Sequence, residues 1–338
     1  MTSKPNITID DIARDLGVSK TTVSRAISGK GRISEATRER VRSYIEKCNY
    51  RPSAAAKSLA ESRTYNLALV LPRSFISLDL PYIRQSMSAI CEEAFLRDYN
   101  ILLCLSTDDH PDVLLRTLDN RKVDGVILAR TVENDVLVDA LSQRQIPFST
   151  MGSLPPSARG KATVEADHDQ ISGCYDFSKT FLQTGTGKVA LLGNDMNYIV
   201  NQSRLAGFNQ AVRELNIPTE QIILKVGLND AASCERAADE LLEQGVHRFL
   251  AMDDEICQLI LARLDARGIA IPQQVQIASL YDHDLLREHQ PPVSALQFDA
   301  AELGRAACQE LLHCLYDEEF NRKPILGYQI VMRQSTLL

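Results

Sequence analysis

The sequence predicts a small helical head followed by a larger α/β body made of two doubly wound parallel-sheet subdomains. The chain has 338 residues, more than one ordinary hydrophobic core accommodates. Apolar residues near the N-terminus recur every three or four positions, which is the period of an amphipathic helix. From Asn66 onward, short apolar strands alternate with amphipathic helices, which is typical of parallel sheets covered on both faces.

Three short helices are predicted in the head, each with its own start signal. Thr8 is an N-cap residue before apolar positions with helical spacing, and Gly17 ends that helix. Ser19 and Ser34 are the N-caps expected for the second and third helices. The third helix ends at residues 49–52 (NYRP), because the residue before a proline avoids the helical region.

An alanine-rich segment, residues 53–60 (SAAAKSLA), follows the head. It has helical propensity, but it is too short and too poor in apolar side chains to be stable alone in water. We therefore expect it to become ordered only on a partner.

The body contains two runs of strands and helices, one before and one after about residue 164. Strands are predicted at 67–71, 101–105, 124–128, 188–192, 221–225, 248–252 and 276–280, and the first helices near 82–97 and 112–121. Two runs predict two subdomains, and the cleft between such subdomains is the natural place for a small ligand.

Charge is distributed unevenly between the head and the body. Residues 1–60 carry twelve Lys and Arg against six Asp and Glu, a net charge of +6. The whole chain carries −7, so the remaining residues carry −13. A basic head on an acidic body indicates that only the head binds a polyanion.

Composition predicts a cytoplasmic protein without membrane contact. The chain has no apolar run of the ~20 residues that a membrane helix needs, and its first residues lack the apolar region of a signal peptide. Its eight cysteines include no Cys-x-x-Cys pair, so we expect small buried hydrophobes and not a redox or metal site.

Signals for enzyme chemistry are weak. Residues 185–187 (GTG) are a fragment of a dinucleotide motif that lacks the third glycine and precedes a strand. Nucleophile-elbow, zinc-protease and phosphate-loop motifs do not occur. Asp282, His283 and Asp284 are either metal ligands or solvated loop residues, and the second interpretation is the more common one. We expect no catalytic residue, no metal and no cofactor.

The second helix of the head presents a face suited to DNA. Thr21 and Arg25 are four residues apart and share this face, whereas Val23 points inward. Lys20 and Thr21 occupy the first turn, the end of a recognition helix that enters the major groove. Arg25 can donate two hydrogen bonds to a guanine edge.

Four hydroxyl side chains lie at helix starts in the head: Ser19, Thr22, Ser34 and Thr37. Hydroxyls and free backbone N–H groups at such positions suit phosphate oxygens. The alternative is that they only cap their helices, and the sequence favours neither interpretation.

One similarity spans essentially the whole chain. In the head it comprises residues 9–25 (IDDIARDLGVSKTTVSR), 33–41 (ISEATRERV), 49–52 (NYRP) and 56–60 (AKSLA). In the body it comprises residues 204–208 (RLAGF), 253–255 (DDE), 268–272 (GIAIP) and 332–336 (MRQST). These segments resemble the lactose/galactose repressor family of transcription regulators.

The resemblance implies a helix-turn-helix head at residues 1–52 and a hinge helix with a linker at 53–65. It places base-reading roles on Lys20, Thr21 and Arg25, and phosphate-contacting roles on Ser19, Thr22, Ser34 and Thr37. Ala56 and Leu59 match hinge residues of the minor groove, and Leu59 matches the leucine that two subunits wedge into that groove.

For the body, residues 66–338, the resemblance implies a dimerising effector-binding domain of periplasmic-binding-protein type. Three chain crossings would join an N-subdomain (about 66–164 and 294–323) to a C-subdomain (about 165–293 and 324–338). Effector-binding positions map onto Ser74, Arg204, Asp253 and Tyr281. Arg204 and Asp253 suit sugar hydroxyls, although they could also be surface or interdomain charges.

Two departures from the family pattern bear on the effector. Residues 279–281 (SLY) replace the more usual Gly-aromatic-Asp, and Gly152 stands where some members carry an aspartate. Arg73 and Arg84 lie near the edge of the expected pocket. Fewer acids and more arginines favour a phosphorylated or acidic sugar as an alternative to a neutral one.

The sequence thus predicts a homodimeric regulator, in the first instance a repressor of carbohydrate-utilisation genes. It would bind double-stranded operator DNA and respond allosterically to a carbohydrate-type effector, with a corepressor ligand as an open alternative. Residues 335–338 (STLL) carry no leucine heptad, so a dimer is expected and not a tetramer. The alternative class is a sugar-binding receptor or α/β enzyme whose head has no role.

Overall fold

The computed structural model describes residues 7–28, 31–48, 50, 58, 61–72, 81–106 and 110–337. The chain divides into two compact units, residues 1–64 and 65–338. Among the described residues, no helix is both long enough and apolar enough to cross a membrane.

The first unit contains the three predicted helices: α1 (Ile9–Leu16), α2 (Lys20–Ser28) and α3 (Glu35–Cys48). Each turns its apolar stripe toward a small common core, in which the most deeply buried side chains are Ile12, Val23, Ala26 and Val41. The helical spacing read from the sequence is therefore confirmed for all three elements.

The helix ends of this unit follow the predicted capping residues. The Thr8 side chain accepts a hydrogen bond from the backbone N–H of Asp11, and the Asp11 carboxylate accepts one from the backbone N–H of Thr8. Gly17 ends α1 at a φ of +62°, a left-handed conformation that favours glycine. Ser19 and Ser34 accept hydrogen bonds from the backbone N–H groups of Thr22 and Thr37.

The second unit contains two six-stranded sheets, each with helices on both faces. The first sheet has the order β11-β5-β4-β3-β1-β2, formed by β1 (Asn66–Leu71), β2 (Asn100–Leu105), β3 (Gly125–Leu128), β4 (Phe148–Met151), β5 (Val164–His168) and β11 (Ile325–Leu326). The second has the order β12-β10-β9-β8-β6-β7, formed by β6 (Val189–Leu192), β7 (Ile222–Lys225), β8 (Arg248–Ala251), β9 (Gln276–Ser279), β10 (Ser294–Gln297) and β12 (Gln329–Val331). All pairings are parallel except that of β10 with β12.

Helices alternate with these strands along the chain. They are α4 (Pro81–Phe95), α5 (Asp112–Asp119), α6 (Val136–Gln143), α7 (Gln170–Gln183), α8 (Ile199–Glu214), α9 (Ala231–Glu243), α10 (Asp254–Ala266), α11 (Asp284–Glu288) and α12 (Ala300–Leu315). Four apolar clusters, one for each sheet face, bury the strands between them. The doubly wound α/β fold predicted from the sequence is thereby confirmed.

The chain crosses between the sheets three times, near residues 168–170, 298–300 and 326–329. The predicted subdomain boundaries differ from these crossings by three to five residues. Val164–His168 pairs within the first sheet, whereas Ser294–Gln297, expected in the N-subdomain, pairs within the second. An apolar run shows where a strand lies, but not which of two adjacent sheets it joins.

Three of the predicted binding residues, Ala56, Leu59 and Ser74, lie outside the described residues, as does Arg73. Within the expected hinge segment, Ser58 and Glu61 are helical. The backbone N–H of Arg63 donates to the carbonyl of Ser58 at 3.1 Å.

Candidate functional site

The outward face of α2 carries the predicted base-reading residues. Lys20, Thr21 and Arg25 are exposed, while Val23 and Ala26 of the same helix are buried in the core. The two helix faces therefore separate as the spacing predicts, and three donor-bearing side chains remain available on one side.

The surroundings of Lys20 and Arg25 were not predicted. The Lys20 ammonium pairs with the Asp10 carboxylate of α1. The aliphatic part of Arg25 lies against Gly31, where a Cβ atom would stand 3.0 Å from the Arg25 Cδ, and Gly31 has a φ of +89°. A side chain at position 31 would be strained in this conformation and would displace the Arg25 side chain.

The four hydroxyls assigned to phosphate contacts form two equivalent pairs. The Ser19 and Thr22 hydroxyls are 2.9 Å apart, and those of Ser34 and Thr37 are 2.7 Å apart. Each serine also caps its helix, so the capping role is present in the structure. Ser19 and Ser34 are nevertheless exposed beside free helix N-termini, where a phosphate oxygen can still bind.

In the second unit, a cavity of about 840 Å³ lies between the two sheets, at the carboxyl ends of their strands. Gly152 and His168 line it from the first sheet, and Asn194 and Tyr281 line it from the second. Ligands of open α/β sheets bind at this edge, because the loops that leave the strands converge there. Of the predicted effector residues, Arg204, Asp253 and Tyr281 all line the cavity, hereafter the cleft.

Arg204 projects into the cleft from α8 and is only 6% exposed. Its Nη1 donates to the Asn201 Oδ1 at 3.3 Å, but its buried Nε has no partner among the described residues. A buried guanidinium donor without an acceptor is energetically costly. The side chain is thus not a solvated surface charge, and a bound acceptor would satisfy it.

Asp253 combines a structural role with its position in the cleft. It is the N-cap of α10, and its Oδ1 accepts from the backbone N–H of Ile256 at 2.9 Å. Its Oδ2 accepts from the Asn194 Nδ2 at 3.3 Å. Each carboxylate oxygen has two lone pairs, so the oxygens can still accept hydrogen bonds from a ligand.

Tyr281 forms an aromatic wall of the cleft. Its ring meets the edge of Tyr82 at a centroid distance of 5.8 Å and stacks on Phe298 at 6.2 Å. Tyr82 belongs to the N-subdomain and was not predicted as a site residue. The contact between the two tyrosines therefore joins the N-subdomain and the C-subdomain at the wall of the cavity.

Two buried carboxyl groups of the cleft were missed by the sequence analysis. Burial raises the pKa of Asp167 to about 6, although two hydrogen bonds from Ser153 oppose this shift. Burial, with the adjacent charge of Asp253, raises the pKa of Asp254 to about 7. The neighbouring His168 lies in the same buried environment, and burial lowers its pKa to about 4. Perturbed values of this kind mark a candidate binding site.

The expectation of an arginine-rich, acid-poor pocket is wrong for the described residues. Five carboxyl groups and two guanidinium groups line the cleft: Asp167, Asp195, Asp253, Asp254, Glu255, Arg130 and Arg204. Arg84 is exposed and does not line the cleft. Three of the acids are consecutive, at residues 253–255, and the other two come from different parts of the chain, so a comparison at only two positions missed the excess of carboxyl groups.

Asp282 is neither a solvated loop residue nor part of a metal cluster. Its carboxylate is buried and accepts hydrogen bonds from Arg333 at 2.8 Å and from Arg287 at 2.9 Å. No group of His, Cys, Asp and Glu suited to a metal ion occurs among the described residues. Arg333 belongs to the MRQST segment, so this segment holds the C-terminus against the second sheet.

Comparison with known proteins matches the first unit and the C-terminal part of the second. Residues 8–53 match the family described as bacterial regulatory proteins, lacI family, and residues 179–336 match the periplasmic binding protein-like domain. The chain therefore combines a DNA-binding domain of the LacI family with a periplasmic-binding-protein-like domain. Like the regulators it resembles, it is a DNA-binding transcription regulator and not an enzyme.

Individual LacI-family proteins are similar over nearly the full chain. The HTH-type transcriptional regulator MalR of Streptococcus pneumoniae is 27% identical, with 96% of this chain and 97% of MalR covered. The lac repressor dimer bound to operator and the anti-inducer ONPF matches with a TM-score of 0.80 at 19% identity, covering 99% of this chain and 100% of that one. A CelR–cellobiose complex matches with a TM-score of 0.72 at 23% identity, covering 97% and 99%.

Proposed function

We propose that this LacI-family regulator is a homodimeric repressor of carbohydrate-utilisation genes, whose operator binding is switched by a sugar-type effector in the cleft. The observation that carries the proposal is Arg204, which lines a cavity between the subdomains and whose buried Nε has no hydrogen-bond partner among the described residues. A sugar hydroxyl accepts a hydrogen bond from this donor and donates one to a carboxylate such as Asp253. The CelR–cellobiose complex supports a sugar as the ligand class.

In this proposal Lys20, Thr21 and Arg25 read bases in the major groove. Arg25 has the planar donor pair that matches O6 and N7 of guanine. The phosphate contacts come from Ser19, Thr22, Ser34 and Thr37, beside the N-termini of α2 and α3. These contacts set the position of the helix on DNA, whereas the base contacts supply the sequence preference.

Ala56 and Leu59 would act in the minor groove as the hinge residues of each subunit. Their assignment rests on the AKSLA segment and on family membership. Unstacking by a leucine wedge costs a few kcal/mol, which extra protein contact with the bent DNA offsets.

Exposed apolar side chains on two edge strands support a homodimer. Leu103 of β2 and Leu224 of β7 are each 45% exposed. β2 and β7 each end their sheet, so their outer edges are without a neighbouring strand in the described chain. Unpaired apolar edges are usually covered in native proteins, and a second copy of the chain would cover these.

The effector would act by changing the angle between the subdomains. The three crossings near residues 168–170, 298–300 and 326–329 are the only covalent joints between the sheets in the described body, which suits rotation about them. Such a rotation in both subunits would change the spacing of the two hinge segments. Ser74, Arg204, Asp253 and Tyr281 are the proposed effector contacts in this mechanism.

The experiment has two stages. Genomic fragments retained by the pure protein identify the operator, and a thermal-shift screen with neutral sugars, amino sugars and sugar phosphates identifies ligands. Operator affinity is then measured with and without each ligand found. A coupling of ~1–3 kcal/mol is the expected size of the switch. If the ligand tightens operator binding, it acts as a corepressor and not as an inducer. Absence of specific DNA binding would contradict the proposal.

A further inference from the structure

The effector cleft has a strong excess of acidic groups. Its five carboxyl groups face two guanidinium groups, and no lysine lines the described part of the cavity. The Arg130 guanidinium stacks over the Tyr198 ring at 3.9 Å and interacts with Asp253 and Glu255. Arg204 interacts with Asp167 and Asp254. The two cations are thus already engaged by acids, and carboxyl groups remain in excess.

The environment of Asp254 illustrates the consequence of this excess. Asp253 and Glu255 are its neighbours at the start of α10, Arg204 approaches from α8, and the His283 Nε2 lies 4.0 Å from its Oδ2. Burial is the main cause of its raised pKa, about 7, and the charge of Asp253 adds to it, so a further negative charge here would be repelled by its neighbours. A positive charge placed beside these carboxyl groups is attracted to them.

Gln170 supplies an independent observation at the same site. It is the first residue of α7, at the first crossing between the sheets, and it is only 9% exposed. Gln170 lines the cleft, and its Oε1 is buried without a hydrogen-bond partner among the described residues. An unsatisfied buried acceptor requires a donor, so a ligand with hydrogen-bond donors fits where a phosphate group does not.

We propose that the effector is a polyhydroxylated molecule with a positive charge, such as an amino sugar, and that Gln170 accepts a hydrogen bond from it. The ammonium group lies beside the excess carboxyl groups, and the hydroxyls bind the Arg204 Nε and the Gln170 Oε1. This inference rests on the proposed function and names the chemical class of its effector. The negative charge of these carboxyl groups repels a phosphate group, which excludes sugar phosphates as the effector.

Isothermal titration at pH 7 with matched sets of four ligands tests whether the effector carries a positive charge. For glucose, galactose and mannose, each set contains the parent sugar, its 2-amino form, the N-acetyl form and the 6-phosphate. At least one 2-amino sugar is expected to bind about tenfold more tightly than its parent and its N-acetyl form. The inference is overturned if no amino sugar binds, or if a parent, acetylated or phosphorylated form binds equally well or better.

Variants of the full-length protein test the residues. Asp254→Asn should reduce the preference for the amine over the parent sugar at least threefold, and the matched variant Glu243→Gln, exposed on α9 outside the cleft, should retain it. Methionine is similar in length to glutamine. Gln170→Met should lower the affinity for the amino sugar at least threefold without changing the thermal midpoint of the free protein. Unchanged affinities in Asp254→Asn and Gln170→Met would refute the assignment of these contacts.

Operator titrations separate this inference from the proposed function. If an uncharged sugar binds best and alters operator affinity, the sugar-switched repressor stands and the charge inference fails. If an amino sugar binds in the cleft but leaves operator affinity unchanged, the charge inference stands and the proposed switch fails.

Discussion

Several residues of this regulator cap a helix and also lie at a surface where a ligand can bind. Ser19 and Ser34 cap helices and also stand at exposed helix N-termini, and Asp253 caps α10 while facing the cleft. Capping is visible in the sequence because it depends on neighbours three positions away. The second role depends on what lies across the surface or the cleft, so a substitution must separate the two.

At the residue scale, Arg25→Ala should lower specific operator binding by ~1–3 kcal/mol and relax the preference at one base pair. The bidentate contact is lost, while the buried face of α2 is unchanged. Binding to an operator library with single base changes measures this effect. Arg42→Ala, an exposed arginine of α3, is the control and should leave the preference at every position intact. Wild-type discrimination by Arg25→Ala would show that Arg25 is not a reader.

The cleft contacts call for a different choice of variants. Arg204→Ala should abolish the effector response and leave effector-free operator affinity nearly unchanged, because the guanidinium lies in the second unit. Asp253→Asn is preferable to alanine, because asparagine retains the cap that alanine loses at a cost of ~1 kcal/mol. It should weaken effector binding without unfolding α10. A response of Arg204→Ala at the wild-type effector concentration would remove Arg204 from the site.

At the scale of elements, the start of α10 concentrates charge at the cleft. Asp253, Asp254 and Glu255 follow one another at the helix N-terminus, where the helix dipole favours acids. Burial nevertheless outweighs this effect for Asp254 and Glu255, whose pKa values are both raised. The helix start is therefore stabilising as a cap and costly as a buried cluster of negative charge.

The pH dependence of stability follows from these carboxyl groups. Asp167 and Asp254 have folded-state pKa values of about 6 and 7, above the ordinary 3.8, so the folded state binds more protons than the unfolded state between about pH 4 and pH 7. Their contribution to the free energy of unfolding is present at low pH and is lost as pH rises through this range.

Asp254→Asn should therefore be more stable than the wild type at pH 8, by ~1–3 kcal/mol, and should show little advantage at pH 4. Urea unfolding of the effector-free protein at the two pH values measures the difference. Glu243→Gln, which removes an exposed carboxylate outside the cleft, should show no such dependence. An equal effect of Asp254→Asn at both pH values would contradict the raised pKa of Asp254.

At the scale of the whole molecule, assembly should depend on the edge strands β2 and β7. The wild-type protein is expected to be a dimer of about twice 37.6 kDa. A variant with both Leu103→Asp and Leu224→Asp should be monomeric at micromolar concentration, because carboxylates would oppose burial of the edges. Leu285→Asp, at an exposed apolar residue outside these strands, should remain dimeric. Light scattering decides between the outcomes, and a monomeric wild type with intact operator binding would contradict the dimer.

The sequence by itself determined the helical head, its caps, the exposed face of α2 and the alternation of strands and helices in the body. These features depend on residues close together in the chain, whose spacing sets which side they face. Arg204, Asp253 and Tyr281 were found through family resemblance. Only the tertiary structure decided that Asp167, Asp254 and Gln170 share their cleft and that its charge is acidic. Asp254 is far from Asp167 and Gln170 along the chain, and it meets them because the strand ends of two sheets converge, which no local pattern encodes.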